Sequence, residues 1–385
     1  MVHSSQFKVG VIHESPLFKL ALVLAACCLL LSSCATLEPA KPRVERYWPL
    51  PPDPPRISYV KSFSEPDDVG KKRTWFLITF RFLFGEGESP HMLRPHAVTT
   101  DHRGWVYVTD TGLQAVHIYD FSGKNYYQLF WIERGQSRLM SPVGVAVDEE
   151  RNIYVSDSQL NRIFVYSPKK FRLIRIIGKP GQFERLGGLA YNPQNKLIYA
   201  VDAGGHRVVA FDQAGNEVFA FGKRGRADGE FNFPSHIAID AKGLVYVTDS
   251  MNFRVQIFNE NGIFINKFGE LGNVLGTFSK PKGVVVDSEG HIYVVDGIYD
   301  TVQIFDQQGR LLLNFGQVGV EEGDFWLPNG IAIDQRNQIY VADTYNQRVQ
   351  VFKFLGGPGE EEPALPIEPL PTEARSEKSE VGSGK

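Results

Sequence analysis

A four-residue motif returns six times along this 385-residue chain. Each copy consists of a tyrosine, two small or β-branched residues and an aspartate. Successive aspartates lie 47, 45, 47, 47 and 47 residues apart, and the copies are Tyr107–Asp110, Tyr154–Asp157, Tyr199–Asp202, Tyr246–Asp249, Tyr293–Asp296 and Tyr340–Asp343. A period this regular indicates a chain built from six copies of one structural unit.

Each unit contains four strand-like runs separated by turns. In the fourth unit the runs are Ile237–Asp240, Val245–Thr248, Arg254–Phe258 and Ile263–Phe268, and an Asn-Gly hairpin turn joins the last two. No unit has an amphipathic stretch of helical length, which excludes helical repeats of similar period. The pattern predicts an all-β fold: a six-bladed β-propeller with four antiparallel strands in each blade.

The units resemble NHL repeats, in which Pro-x-Gly, an apolar run, Tyr-Val-x-Asp and Asn-x-Arg follow one another. The sixth unit carries this pattern almost whole, from Pro328 to Phe352. The third diverges most, with Leu186–Gly188 at the Pro-x-Gly position, and the first and fifth lack the arginine. The resemblance covers about residues 95–355 and implies a six-bladed propeller.

The sixth unit ends after its third strand, so its outermost strand has to come from elsewhere. Residues Ile57–Phe63 lie before the first unit and alternate as one strand does. We predict that this segment pairs with Arg348–Phe354 and closes the last blade. Such closure removes an exposed sheet edge.

All three cysteines lie near the N-terminus, at Cys27, Cys28 and Cys34, which excludes a disulfide framework or a cysteine-based metal site elsewhere. The apolar run Leu20–Leu31 is too short to span a bilayer and has the length of a signal-peptide core. Leu31-Ser32-Ser33-Cys34 resembles a bacterial lipobox. This resemblance implies cleavage after residue 33, a lipid on the Cys34 sulfur and an acyl group such as palmitate on the new N-terminus. The alternative is a buried or reactive cysteine beside an uncleaved anchor.

The chain therefore divides into four segments. These are a signal peptide (1–33), a proline-rich spacer (34–55), the propeller (56–355) and an acidic disordered tail (356–385). Ala35 in place of aspartate favours an outer-membrane location in the bacterial envelope. Lys and Arg number 41 against 44 Asp and Glu, a balance that argues against nucleic-acid binding.

One apolar segment, residues 74–84, falls outside the repeat pattern. Its large side chains recur at helical spacing, although part of it also alternates as a strand does. We predict a helix packed on the ring, with contact to lipid or to a partner as the alternative.

Residues present in every unit are interpreted as scaffold. A carboxylate after the second strand can accept backbone N–H groups and stabilise the turn, and an arginine five residues later can pair with it. The predicted structural residues are Asp110, Asp157, Asp202, Asp249, Asp296, Asp343, Arg162, Arg207, Arg254 and Arg348.

Residues that differ between units are the candidates for function. The position after each proline borders one mouth of the central channel, and the loops after the aspartates open on the same face. The candidate ligand-binding residues are His96, Ser235, His236, Lys282, Asn329, Tyr299 and Tyr345. Such a mouth suits a polar or anionic ligand, and the alternative is a solvated surface without a ligand.

An enzyme is the second hypothesis. Related propeller lyases hold zinc with three histidines after the proline, but this chain has only His96 there, and strand alternation predicts that His236 points away from it. We therefore predict no cofactor and no metal. The favoured function is a lipid-anchored binding or scaffold propeller for an envelope protein, peptide or glycan. The alternative is a lyase or hydrolase with a single metal near His96 and His236.

Overall fold

A computed structural model of the chain describes residues 45–70, 91–133 and 137–356. Within them the secondary structure is almost entirely β, as predicted, apart from two short 3-10 turns at Pro66–Val69 and Ser250–Asn252. The predicted signal peptide, Cys34, the start of the spacer, the segment 74–84 and the tail beyond residue 356 lie outside the described residues.

The repeats form six antiparallel sheets in chain order. Blades 1 to 3 contain β3 (Pro95–Thr100), β4 (Val106–Asp110), β5 (Ala115–Asp120), β6 (Asn125–Leu129), β9 (Pro142–Val147), β10 (Ile153–Asp157), β11 (Arg162–Tyr166), β12 (Leu173–Ile177), β13 (Leu186–Asn192), β14 (Leu197–Asp202), β15 (Arg207–Phe211) and β16 (Glu217–Phe221). A small hairpin, β7 (Trp131–Glu133) and β8 (Ser137–Arg138), lies between the first two blades.

Blades 4 to 6 repeat the same order. They contain β17 (Pro234–Ile239), β18 (Val245–Asp249), β19 (Arg254–Phe258), β20 (Phe264–Phe268), β21 (Pro281–Val286), β22 (Ile292–Asp296), β23 (Thr301–Phe305), β24 (Leu311–Phe315), β25 (Pro328–Ile333), β26 (Gln338–Asp343) and β27 (Arg348–Phe354). The first strand of each blade contacts the first strand of the next, and β25 contacts β3, so the blades form a closed ring.

The predicted closure of blade 6 is confirmed. Strand β2 (Ile57–Phe63) pairs antiparallel with β27, from Ile57 opposite Phe354 to Phe63 opposite Val349. Residues from the two ends of the domain therefore share one sheet.

Part of the predicted spacer is structured instead. Strand β1 (Tyr47–Trp48) adds to the outside of β2, and the Arg46 guanidinium lies 2.7 Å from the Asp324 carboxylate. The Trp48 ring packs against Phe315 and Phe352. Proline-rich composition alone predicts an extended chain, and it does not reveal that an aromatic side chain docks on a distant blade.

Burial along each blade explains the residue pattern of the repeat. The second strands are buried along almost their whole length, because adjacent blades cover both faces, whereas the outermost strands alternate between partly buried and exposed residues. The motif tyrosines lie between the blades and are at most 4% exposed. Stacked blades thus bury a continuous core that one unit could not form alone.

The motif aspartates hold the loops that enter each first strand. Asp249, for example, is fully buried and accepts a hydrogen bond at 2.7 Å from the Asn232 backbone N–H. The guanidinium of Arg254 donates to its other oxygen at 2.8 Å, and the same pairing joins Asp202 to Arg207 and Asp343 to Arg348. We call the face that carries these loops the upper face.

Arg162 is the exception among the four repeated arginines. Its guanidinium donates to the backbone carbonyl of Asn161 at 2.8 Å and makes no described contact with Asp157. Asp157 is instead held by backbone N–H groups alone, including those of Met140 and Ser141.

Candidate functional site

The six first strands meet the upper face at the residue that follows their initial proline or leucine. This residue is half-buried in every blade, between a buried neighbour on each side. The six side chains differ completely, and they are His96, Val143, Gly187, Ser235, Lys282 and Asn329. The ring therefore surrounds its mouth with six different groups held on one rigid framework.

A cavity of about 400 Å³ opens in this mouth, displaced toward blades 2 to 5. Its lining residues are His96, Val143, Ser158, Arg185, Leu186, Gly187, Ala203, Phe233, Pro234, Ser235, His236, Ser250, Met251, Lys280 and Lys282. We call this cavity the upper pocket. A second, narrower space of about 40 Å³ is lined by residues of all six first strands, including His236.

The two histidines of the upper pocket face each other. The rings of His96 and His236 are stacked with centroids 5.9 Å apart and an interplanar angle of 14°. The prediction that His236 points away from His96 is therefore wrong. That prediction assumed regular alternation, whereas the pairing of the first strands is irregular just after the initial proline, between Pro95 and Val98 in β3 and between Pro234 and Ile237 in β17.

A chain of hydrogen bonds determines the tautomer of His236. The Ser250 hydroxyl donates to the Pro281 carbonyl at 2.9 Å, so the Ser235 hydroxyl, 2.6 Å away, has to donate to Ser250. The Ser235 oxygen then accepts from Nδ1 of His236 at 3.1 Å. His236 consequently carries its proton on Nδ1 and presents a lone pair at Nε2.

His96 has the same tautomer for a simpler reason. Its Nδ1 lies 2.9 Å from the Val143 carbonyl oxygen, which can only accept a hydrogen bond. Burial and the nearby Lys282 lower the pKa of His96 to about 4. Burial, His96 and Lys282 likewise hold the pKa of His236 well below its usual value, so both imidazoles are neutral at pH 7.

Positive charge in the upper pocket comes from three other residues. Lys282 is half-buried, while Arg185 and Lys280 are exposed at the rim. Burial, together with the charges of Lys280 and Arg185, lowers the pKa of Lys282 to about 8. Among the described lining residues there is no aspartate or glutamate to neutralise these cations.

Two lining residues, Arg185 and Lys280, were missed by the sequence analysis. Each directly precedes the residue that begins a first strand, at a position occupied in the other blades by Arg94, Ser141, Phe233 and Leu327. Comparing this position across the six repeats would have revealed cations in blades 1, 3 and 5, of which those in blades 3 and 5 line the upper pocket.

The structure brings together only some of the predicted ligand-binding residues. His96, Ser235, His236 and Lys282 line the upper pocket. Asn329 lies close enough to His236 to affect its pKa, but it does not line the pocket. Tyr299 donates its hydroxyl to the Gly272 carbonyl at 2.7 Å, and Tyr345 lies beside Trp326 with ring centroids 5.7 Å apart.

The two imidazoles alone do not supply the ligands of a catalytic zinc. Such a site needs three protein ligands, and among the described lining residues no cysteine, aspartate or glutamate joins His96 and His236. In the parts of the chain that the structure covers, no three His, Cys, Asp or Glu side chains are grouped to hold a metal.

Comparison with known proteins agrees with the fold. The family model of the NHL repeat matches residues 231–258 and 325–352. The Drosophila melanogaster protein brain tumor is 34% identical over 87 residues, which is 23% of this chain and 8% of that protein. The match thus spans less than a tenth of that relative's length.

Solved structures with the same fold differ in what they do. Virginiamycin B lyase from Staphylococcus aureus superposes with a TM-score of 0.52 at 13% identity, over 68% of this chain and 96% of that one. An auxiliary nutrient binding protein from Bacteroides thetaiotaomicron gives 0.54 at 15% identity, over 68% and 69% of the two chains. At this identity the likeness establishes the architecture alone.

Proposed function

We propose that this chain, whose NHL repeats build a six-bladed β-propeller, is a lipid-anchored binding protein of the bacterial cell envelope. The upper pocket receives part of a peptide, protein or glycan partner. The observation that carries this proposal is the asymmetry of the mouth. Six blades share one construction, yet side chains that differ between them, including His96, Ser235 and Lys282, line one cavity.

The size and lining of the upper pocket suit a small ligand or the end of a larger one. Its volume of about 400 Å³ falls within the range of roughly 300–1,000 Å³ that is typical of ligand sites. Phe233 and Met251 supply exposed apolar surface at its edge, 43% and 50% exposed. Ser235 and Lys282 supply polar groups deeper in the pocket.

An anchor at Cys34 would keep this pocket near a membrane. The described chain begins at Glu45, so the residues between it and Cys34 span at most about 35 Å when fully extended. In the described part of the chain no helix is long and apolar enough to cross a membrane. A lipid on Cys34, on the outer membrane as Ala35 suggests, would supply the attachment.

The metal-dependent lyase or hydrolase remains the competing hypothesis, but the geometry of the pocket does not favour it. A catalytic zinc needs three protein ligands and an open position. The two available Nε2 atoms belong to stacked rings, and the remaining polar groups near them are serine hydroxyls and cationic side chains.

A pair of matched substitutions tests the proposed function. Met251 and Tyr345 occupy the same position in the loops of blades 4 and 6, each two residues after its motif aspartate, and each is 50% exposed. Only Met251 lines the upper pocket. Full-length protein would be isolated from native membranes with its bound partner, as wild type, Met251→Trp and Tyr345→Trp.

We expect Met251→Trp to lose the co-isolated partner, because the indole occupies the pocket entrance, and Tyr345→Trp to retain it. Equal retention by both variants would place recognition outside the upper pocket. Unchanged unfolding temperatures establish that both variants fold.

A further inference from the structure

We infer that the upper pocket recognises an oxyanion that carries a neighbouring hydroxyl group, which is the chemistry of an acidic sugar or of a protonated phosphate. This inference rests on the proposed function and identifies the chemical group that enters the pocket.

Three cations without an acidic partner provide the first argument. Arg185, Lys280 and Lys282 line one cavity, and no described carboxylate pairs with their charged groups. Elsewhere in the ring, arginines such as Arg254 and Arg348 lie within 3 Å of a carboxylate. Lys280 and Arg185 help to lower the pKa of Lys282, and an anion that entered the pocket would offset this repulsion.

The chain also makes room for the deepest cation. The residue after each motif aspartate is Thr111, Ser158, Ala203, Ser250 or Thr344 in five blades, but it is Gly297 in blade 5. A Cβ at Gly297 would lie 3.0 Å from the Pro328 carbonyl oxygen and 3.3 Å from Cγ of Lys282. The glycine therefore leaves space for the lysine stem as well as for the neighbouring backbone.

The surroundings of His236 provide the second, independent argument. His236 is 8% exposed, and its Nε2 has no hydrogen-bond partner among the described residues. Asn329 lies beside His236 and acts as a hydrogen-bonding neighbour to raise its pKa, but the serine chain fixes Nε2 as an acceptor, so Nε2 cannot donate to the buried Oδ1 of Asn329. Buried acceptors are seldom left unpaired, so the missing group is a donor.

Cations and unpaired acceptors together define the ligand. Lys282 and the rim cations match the anionic oxygens, and charge-assisted hydrogen bonds of this kind are the strong ones. Nε2 of His236 matches an adjacent O–H. A carboxylate without a hydroxyl would leave the acceptors unpaired, and a neutral sugar would leave the cations unpaired.

Calorimetric titration of the detergent-solubilised full-length chain tests both parts. Glucuronate and inorganic phosphate are expected to bind, and glucose to bind at least tenfold more weakly than glucuronate. Glycolate is expected to bind more tightly than acetate. Preference for glucuronate over phosphate identifies a sugar acid, and the reverse identifies a phosphate group.

Three outcomes would overturn the inference. Equal affinities for glucose and glucuronate, or no binding of any anion at about 20 mM, would show that the pocket does not recognise an oxyanion. Equal affinities for glycolate and acetate would show that His236 does not accept a hydrogen bond from the ligand.

Substitution of Lys282 connects the binding to this pocket. Lys282→Met removes the charge, keeps an unbranched stem and should weaken glucuronate binding about tenfold or more. Lys242→Met, an exposed lysine outside the pocket, should bind as wild type does. Because the first change relieves repulsion by Lys280 and Arg185, its unfolding temperature should not fall.

The pH dependence gives a readout that a merely structural lysine would not produce. The charged and titratable groups around Lys282 are Lys280, Arg185, His96 and His236. Since the pKa of Lys282 is about 8 and both histidines are neutral at pH 7, glucuronate affinity should be constant from pH 6.5 to 7.5 and fall above pH 8. Lys282→Arg should keep its affinity at pH 9.

The two proposals fail in different ways. If Met251→Trp releases the partner while glucose and glucuronate bind equally, the binding function stands and the oxyanion inference is wrong. If Met251→Trp retains the partner and no anion binds, both are wrong.

Discussion

Trp48 packs against Phe352 with ring centroids 5.7 Å apart and an interplanar angle of 65°. The contact joins a residue near the start of the described chain to the third strand of blade 6, 304 positions later. Trp48 belongs to β1 and therefore lies outside the strand pair β2–β27 that closes the ring. The segment before the predicted closing strand therefore also contributes to closure.

Trp48→Ala should lower the free energy of unfolding by about 2 kcal/mol, because a half-buried indole leaves the surface of Phe315 and Phe352 uncovered. Tyr47→Ala, at an exposed position in the same strand, should change it by less than about 0.5 kcal/mol. Chemical denaturation of both variants checks this. If Trp48→Ala changed the free energy of unfolding as little as Tyr47→Ala does, strand β1 would not stabilise the ring.

His291 should make stability depend on pH. Its Nδ1 lies 2.8 Å from the buried Asp287 carboxylate, and this hydrogen bond raises the pKa of His291 above 6.5 despite partial burial. A histidine whose pKa is higher in the folded than in the unfolded state stabilises the fold below pH 6.5. This contribution is lost as the pH rises through the pKa of the folded state. Denaturation from pH 6 to 8.5 should show this loss in wild type and not in His291→Gln. Parallel curves for the two proteins would contradict it.

Cys34→Ala should move the protein from the membrane to the soluble fraction, because the sulfur that receives the lipid is gone. Membrane fractionation measures the release, and metabolic labelling with a palmitate analogue measures the loss of the lipid. The neighbouring substitution Ser33→Ala keeps the cysteine and a small residue before it, so it should leave both unchanged. Membrane association and labelling that persist in Cys34→Ala would contradict the predicted anchor.

The purified chain should retain much less than one equivalent of zinc or calcium after dialysis, since no described carboxylate or cysteine joins His96 and His236 in the upper pocket. Elemental analysis measures this. Stoichiometric metal that is lost in His236→Ala would establish the metal-dependent alternative and contradict the binding proposal.

Periodicity was enough to predict the architecture, because each blade repeats the same alternation and turns. It did not predict strand β1, whose two residues pair with Ile57 and Ser58 of β2 while the Trp48 ring packs against Phe315 and Phe352. Blade 1 shows a second limit. His117 takes the place of the glutamines in blades 4 to 6, and its Nε2 lies 3.3 Å from Asp110 where Gln256 donates to Asp249. The pattern identifies the position, but not which other side chain can serve there.

The site was predicted only in outline for a related reason. The position after the initial proline predicted Lys282 and Ser235 at the mouth, whereas strand alternation predicted the wrong orientation for His236, whose ring stacks on that of His96. Arg185 and Lys280 belong to entry loops whose course depends on the buried aspartates Asp202 and Asp296. Their convergence follows from the closed ring, which a single repeat cannot reveal.

The most direct test of the central claim is photo-crosslinking in living cells from a benzophenone amino acid placed at Met251 or at Tyr345. The binding account predicts a discrete crosslinked partner from position 251 and none from position 345. It also predicts that Lys282→Met weakens the crosslink from position 251. A partner captured from position 345 alone would contradict the account.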